Sequence, residues 1–212
     1  MDTATVWAHI HAERGALKRT LASLPESAWS QPSVCQGWTV KDVAAHVIAH
    51  PQVGWRQLAG MMARNTGRGY NSMIFHEVRR LGRTQTREQI LDDFERYDGS
   101  TRRVPTTTVV EPLVDALVHH QDIVRPLGRR HEMDPAAASL AADRCLLLSF
   151  LMGSGRAKRS VRLVADDHDW SHGSGPEVRG PMQELLLVCA GRARVATDLT
   201  GDGLDLLDGR SD

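Results

Sequence analysis

At 212 residues, with 41% hydrophobic and 25% charged side chains, the chain has the make-up of a folded globular protein, which excludes intrinsic disorder and a fibrous class. Its 26 basic residues balance its 26 acidic ones, and that balance argues against a nucleic-acid surface, where a basic excess is the rule. The arginines at 79, 80 and 83 and at 125–130 read as solvated helix ends.

The first residues, with Asp2, His9 and Glu13, contain no apolar run of signal-peptide length. No later stretch approaches the roughly 18 apolar residues of a membrane span. Cys35, Cys145 and Cys189 are odd in number and far apart, which fits reduced thiols in a cytoplasmic protein better than a disulfide framework or a paired-cysteine zinc site.

In chain order, Trp7, Ile10, Leu17, Leu21 and Leu24 recur at three- and four-residue steps and predict a helix over 3–24, ended by Pro25. Thr39, followed by an acidic residue three places on at Asp42, predicts the start of a second helix over 40–63. Gly67, Gly69 and Asn71 mark a break, and a short helix is expected over 72–82. Thr86 and Gln89 form the next capping box, for a helix to about 98. Pro112 suits the first turn of a further helix, which Gly128 closes, and Asp134-Pro135 opens another to about 152. Composition shifts at Gly153-Ser154-Gly155. Beyond it, Val161–Val164 reads as a short strand, Trp170 to Pro176 as turns and Pro181–Cys189 as a helix. The expected architecture is mostly α, a helical bundle over 1–153 with a small α+β domain over 154–212.

Chemistry could arise where acid and imidazole share a helix face. His46 and His50 are four residues apart, and Asp115, His119 and Asp122 follow an i, i+4, i+7 stripe. Three such ligands with an open fourth position form a catalytic zinc site, whereas four closed ligands form a structural one. Spacing alone favours a solvated helix face, because the stripe lies opposite Leu113, Leu117 and Val124 on a helical wheel. Ser154 and Ser160 lack a nucleophile-elbow context, and 153–155 lacks the lysine of a phosphate loop. Cys35, beside Gly37, is either a reactive thiol or a small residue buried where a helix begins.

Three stretches carry a resemblance. The segment from Pro32 through Cys35-Gln36-Gly37-Trp38 to His46 resembles the amino-terminal signature of mycothiol-dependent maleylpyruvate isomerase-like proteins. Asp115 to Gly128 resembles their second signature. Asp169-Trp170-Ser171, Gly180-Pro181, Ala190-Gly191-Arg192 and Gly201-Asp202-Gly203 follow in the family's order. The resemblance implies a DinB-like four- or five-helix bundle that binds zinc or another divalent metal through His46, Asp115 and His119. Asp122 and His50 are then supporting residues around the ligands. The position of Asp115 is glutamate in the best-known members, so its reach here is shorter.

The family uses the low-molecular-weight thiol mycothiol, so the resemblance implies a thiol partner and a small electrophilic substrate, with homodimerisation left open. A free thiol, with a pKa near ~8.5, is mostly protonated at neutral pH, and a coordinated dication removes that proton. The expected activity is thiol S-transfer in preference to isomerisation, because the broader reaction demands fewer specific residues. A metal-dependent hydrolase and a non-catalytic metal-binding stress-response protein are the alternatives.

Overall fold

The computed structural model describes residues 1–148 and 161–207. Gly153 to Gly155, Ser154 and Ser160, the last residues of the helix expected to reach 152, and the expected domain boundary at 153/154 all lie outside the described residues. By its internal contacts the chain divides into two compact units, Met1–Arg130 and His131–Asp212.

The first unit is helical. α1 (Thr3–Ala22) begins at Asp2, whose carboxylate accepts from the Thr5 amide at 2.8 Å, and buries Trp7, Ile10, Leu17 and Leu21. A single turn, α2 (Glu26–Trp29), follows Pro25. α3 (Val40–Ala49) starts at the capping box expected from the sequence, in which the Asp42 carboxylate and the Thr39 hydroxyl each accept from the other's backbone N–H. Its inner face, with Val43, Val47 and Ile48, joins Leu17, Leu21, Trp29 and Ile90 in one core.

The helix expected over 40–63 is not continuous. It stops at Ala49, passes through a 3-10 turn at His50–Gln52, and restarts as α4 (Trp55–Arg64). Pro51 explains the interruption: it has no N–H to donate, and its ring collides with the carbonyl four residues back. α5 (Tyr70–Thr84) and α6 (Arg87–Arg96) follow, each within a few residues of expectation. Gly82 is required where α5 meets α3, since a Cβ there would stand only 1.9 Å from Asp42 Oδ1.

α4 buries none of its residues, so polar contacts tie it down. Glu77 on α5 accepts from Arg64 at 2.9 Å, from Arg80 at 2.9 Å and from Asn65 at 2.8 Å. Burial would push the Glu77 carboxyl up, but Arg64, Arg80 and Asn65 outweigh it and bring it down to about 2. A carboxyl whose pKa is depressed on folding contributes stability above its unfolded value and loses it as pH falls through the folded one. Glu77→Gln is therefore expected to cost about 1–3 kcal/mol at pH 7, the usual loss for a charged hydrogen-bonding partner. That difference should fade between pH 4.5 and 2, measured by denaturant unfolding of both proteins.

α7 (Val110–Val124) is the central helix, packed on both α1 and α3. Nearly every residue from Pro112 onward is buried, and Asp115 is the principal exception. A helix enclosed on all sides has no outer face to solvate. The solvated-face reading of the Asp115, His119 and Asp122 stripe therefore fails, with His119 7% and Asp122 0% exposed. Gly128, at φ 65°, ends the segment as expected.

In the second unit α8 (Pro135–Leu147) packs against α9 (Met182–Cys189). This helix therefore belongs with the C-terminal unit, whereas the sequence pattern assigned it to the bundle. Three short strands, β1 (Arg162–Ala165), β2 (Ser171–Gly173) and β3 (Glu177–Gly180), form a sheet in the order β2-β1-β3. β1 is antiparallel to β2, with Leu163 opposite His172, and parallel to β3, with Leu163 opposite Val178. α9 packs on β1 and β3, and Leu163, Val178 and Leu185 are fully buried. A single helical turn, α10 (Leu204–Leu207), follows. The mostly α class with a small α+β C-terminal part is thus as the sequence pattern requires.

Cys35, Cys145 and Cys189 form no disulfide. No helix among the described residues is long and apolar enough to cross a membrane.

Candidate metal centre

The last turn of α3, the 3-10 turn after it and the middle of α7 bring together four side chains of the kinds that can ligate a metal ion. His46 Nε2 lies 3.6 Å from Asp115 Oδ2, and His119 Nε2 lies 3.9 Å from Asp115 Oδ1. The His46 and His119 rings meet edge-on with centroids 5.1 Å apart. His50, from the 3-10 turn, makes a close Nε2 contact with the same Asp115 carboxylate. Two ligand atoms about 2.0–2.1 Å from one ion at tetrahedral angles stand roughly 3.3 Å apart, so both longer spacings are near one coordination edge.

Each ligand's position has a local cause. α3 is held at its start by the Thr39–Asp42 box, and its apolar face is locked in the core, so His46 is left on the side that meets α7. On α7, Asp115 and His119 are one turn apart and therefore on one face. His119 Nδ1 donates to Asp122 Oδ2 at 2.8 Å, which leaves Nε2 turned to the cluster. A fully buried carboxylate fixing the tautomer of an imidazole in this way is the usual outer support of a metal-binding histidine. His50 lacks such support, since its Nδ1 is buried with no hydrogen-bond partner among the described residues.

The loop before α3 forms a wall of the site. Val34 N donates to the Asp122 carbonyl at 3.0 Å, and Arg79 donates to the Gly37 carbonyl at 2.7 Å. Gly37 turns the chain at φ 78°, a conformation costly for other residues. The Trp38 ring then stands 5.5 Å from that of His46 and 6.1 Å from that of His119. Half-buried Cys35 donates its thiol hydrogen to Asp122 at 3.1 Å, with its sulfur 3.8 Å from His119 Nδ1. Two trios of side chains therefore present ligand atoms within 4.8 Å of one another: His46, His50 and Asp115, and beside them Cys35, His119 and Asp122.

The electrostatics suit a cation. Burial opposes charge on Asp115, yet the imidazoles of His50, His46 and His119 outweigh it and hold the carboxyl far below the usual carboxylate range. Burial also opposes protonation of His119, while hydrogen bonding to Asp122 and Cys35 pushes it up to about 10. A site that keeps a carboxylate ionised and draws a proton onto an imidazole favours positive charge, and two or three nitrogens with one carboxylate oxygen suit zinc-like ions.

Of the expected ligands, His46 and His119 each approach Asp115, but at different carboxylate oxygens, and the trio that forms around Asp115 is completed by His50, while His119 stands with Cys35 and Asp122. His50 stands closer to Asp115 than a supporting role requires. Sequence reasoning missed the walls of the site: Trp38 had no assigned role, and the Cys35 thiol faces Asp122. The only signal available for them was their position in the turn before the Thr39 cap.

Residues 10–124 match the family model described as mycothiol maleylpyruvate isomerase N-terminal domain. Among solved structures, the chain is similar to the crystal structure of the mycothiol-dependent maleylpyruvate isomerase, at 14% identity and a TM-score of 0.61, over 100% of this chain and 95% of that one. A histidine-to-alanine mutant of that isomerase matches at 13% identity with the same coverage and TM-score. Identity this low shows a shared fold. No functionally curated protein matches the chain.

Proposed function

Because the chain belongs to the mycothiol maleylpyruvate isomerase N-terminal domain family, we propose that it is a metal-dependent thiol S-transferase or isomerase acting with mycothiol on a small electrophile. The observation that supports this reading is the approach of His46 and His119, from two helices, to the two oxygens of Asp115, which is still partly exposed. Zinc or another divalent ion held there would supply a positive charge that lowers the pKa of a thiol and makes it nucleophilic at neutral pH.

The chain's own residues do the rest. Asp122 orients His119 and accepts the Cys35 thiol hydrogen. His50, fastened on Asp115, steadies a carboxylate shorter than the glutamate usual there. Trp38 walls two of the imidazoles from solvent. On the substrate, a carbon–sulfur bond forms while the electron pair of an activated double bond moves onto its neighbouring acceptor. If a proton then reaches the adjacent carbon, the product is a stable conjugate. If rotation precedes loss of the sulfur, the outcome is cis–trans isomerisation and the thiol is returned.

The test is incubation of the metal-containing protein with mycothiol and a generic electrophile such as chlorodinitrobenzene, alongside maleylpyruvate. Conversion that requires both thiol and metal is expected. Turnover without thiol would replace this reading by a metal-dependent hydrolase, and no turnover of any electrophile would leave a non-catalytic metal-binding protein.

A further inference from the structure

We propose that Arg14 is a charge-setting residue of the metal centre, whose buried guanidinium acts through space on Asp115 and makes a bound ion hold an anion in its open position. The inference rests on reading the Asp115 cluster as a metal centre. It names the class of the remaining ligand: a thiolate or a carboxylate, in preference to a neutral molecule.

Packing encloses Arg14 completely. α1 lies on α7, and Glu13, the residue before Arg14, is hydrogen-bonded to His120 Nδ1 at 2.7 Å. The Thr20 hydroxyl meets the other nitrogen of the same ring at 2.9 Å. These two contacts fix α1 against α7 at the residue next to His119. Arg14 is 5% exposed, and Ile10 and Leu17, a turn to either side of it, are fully buried. Its Nε, Nη1 and Nη2 are buried without a hydrogen-bond partner among the described residues.

A guanidinium carries five N–H donors and stays charged at neutral pH. A carboxylate in contact is the usual answer to such burial, and Arg14 has none. The nearby carboxylates are engaged elsewhere: Glu13 by His120, Glu111 by the Thr108 amide at 2.8 Å, and Asp122 by His119 and Cys35. The charge that acts on Arg14 is that of Asp115. Burial draws the guanidinium down to about 10, and Asp115 pulls it back without a hydrogen bond between the two. Between enclosed groups such coupling has a long reach, because it falls only with the first power of distance and salt screens it little.

Two consequences of opposite sign follow. A divalent ion on one carboxylate and neutral imidazoles leaves one positive charge uncompensated, and Arg14 adds another. The guanidinium therefore offsets part of the attraction that Asp115 exerts on a cation, and the ion binds less tightly than its ligands alone would allow. The same charge favours an anion in the open position, since an anion there faces both the ion and Arg14. A thiol entering that position is thus held as thiolate.

The experiment compares the parent with Arg14→Met and Arg14→Lys. Zinc affinity is read by competition with a chromophoric chelator. Anion affinity is read from the visible spectrum of the cobalt(II)-loaded proteins titrated with thiocyanate, with imidazole as the neutral ligand. Arg14→Met, which keeps an apolar stem and removes the charge, should bind zinc at least tenfold more tightly and thiocyanate at least tenfold more weakly, with imidazole unchanged. Arg14→Lys, which keeps the charge, should stay near the parent in both. Metal-free Arg14→Met should also melt higher than the parent, because it no longer buries an unpaired charge. Arg14→Gln, also neutral, carries the same two expectations if Arg14→Met fails to fold.

A residue kept for packing alone would, when replaced, loosen α1 on α7 and weaken zinc. The proposal is overturned by zinc affinity that is unchanged or weaker in the neutral variants, by unchanged thiocyanate affinity, by equal losses of thiocyanate and imidazole, or by Arg14→Lys behaving as Arg14→Met does. A parent that binds neither zinc nor cobalt overturns the metal reading and this inference together. The same opposed shifts in a protein that turns over no electrophile still support it, because neither affinity depends on turnover.

Discussion

His46→Ala is expected to weaken zinc binding at least 100-fold and to leave protein purified without chelators nearly free of metal, where the parent is expected to hold about one ion per chain. The argument is geometric. Removing one of the three proposed ligands leaves an imidazole and a carboxylate from α7, and the side chain nearest the vacated place is His50, on the 3-10 turn that follows α3. Changes to outer supports of a metal ligand already cost about 10- to 100-fold, so loss of a direct ligand should exceed that range. Asp122→Asn should fall inside it, because His119 keeps its place on α7 while its Nδ1 hydrogen bond loses its charged acceptor.

The more discriminating comparison is between His119→Ala and His50→Ala. His50 touches Asp115 more closely, but only His119 has a carboxylate that fixes its ring. The larger metal loss is therefore expected for His119→Ala. Competition with a chromophoric chelator gives the affinities, and elemental analysis gives the stoichiometry. Equal losses, or a larger one for His50→Ala, would make His50 the third ligand and leave His119 paired with Cys35 and Asp122.

Much of this was legible in the residues, for reasons that can be named. The starts of α3 and α6 were readable because Thr39 with Asp42 and Thr86 with Gln89 encode reciprocal hydrogen bonds within four residues. What misled was the outward stripe on α7. A helical wheel compares the faces of one helix and carries no information about its neighbours. Because α1 and α3 enclose α7, the face that looked solvated is the interior of a site. Pro51 was visible in the sequence, yet the apolar pattern continued past it and concealed the break that gives His50 its separate position. Arg14 gave no signal at all. On α1 it reads as an ordinary surface cation, and only packing shows that its nitrogens are buried.

Chelation is expected to leave the helices in place. The first unit has an extensive apolar core, with Leu17, Leu21, Val43, Leu113, Leu117 and Ile123 each 0–1% exposed. Burial of each such side chain is worth about 1.5–3 kcal/mol, and none of it depends on an ion. Removing zinc should then cost only the linkage contribution, RT ln(1 + [L]/Kd), or ~4 kcal/mol at a thousandfold excess over the dissociation constant. A structural site behaves otherwise, because its binding energy is folding energy and the metal-free chain unfolds. Circular dichroism before and after chelation separates the two. Retention of nearly all the helical signal, with a lower melting temperature that zinc restores, is the result required of an open site that presents its ion to a thiol. Collapse of the helical signal would make the ion a staple between α3 and α7, and the proposed chemistry would lose its physical basis.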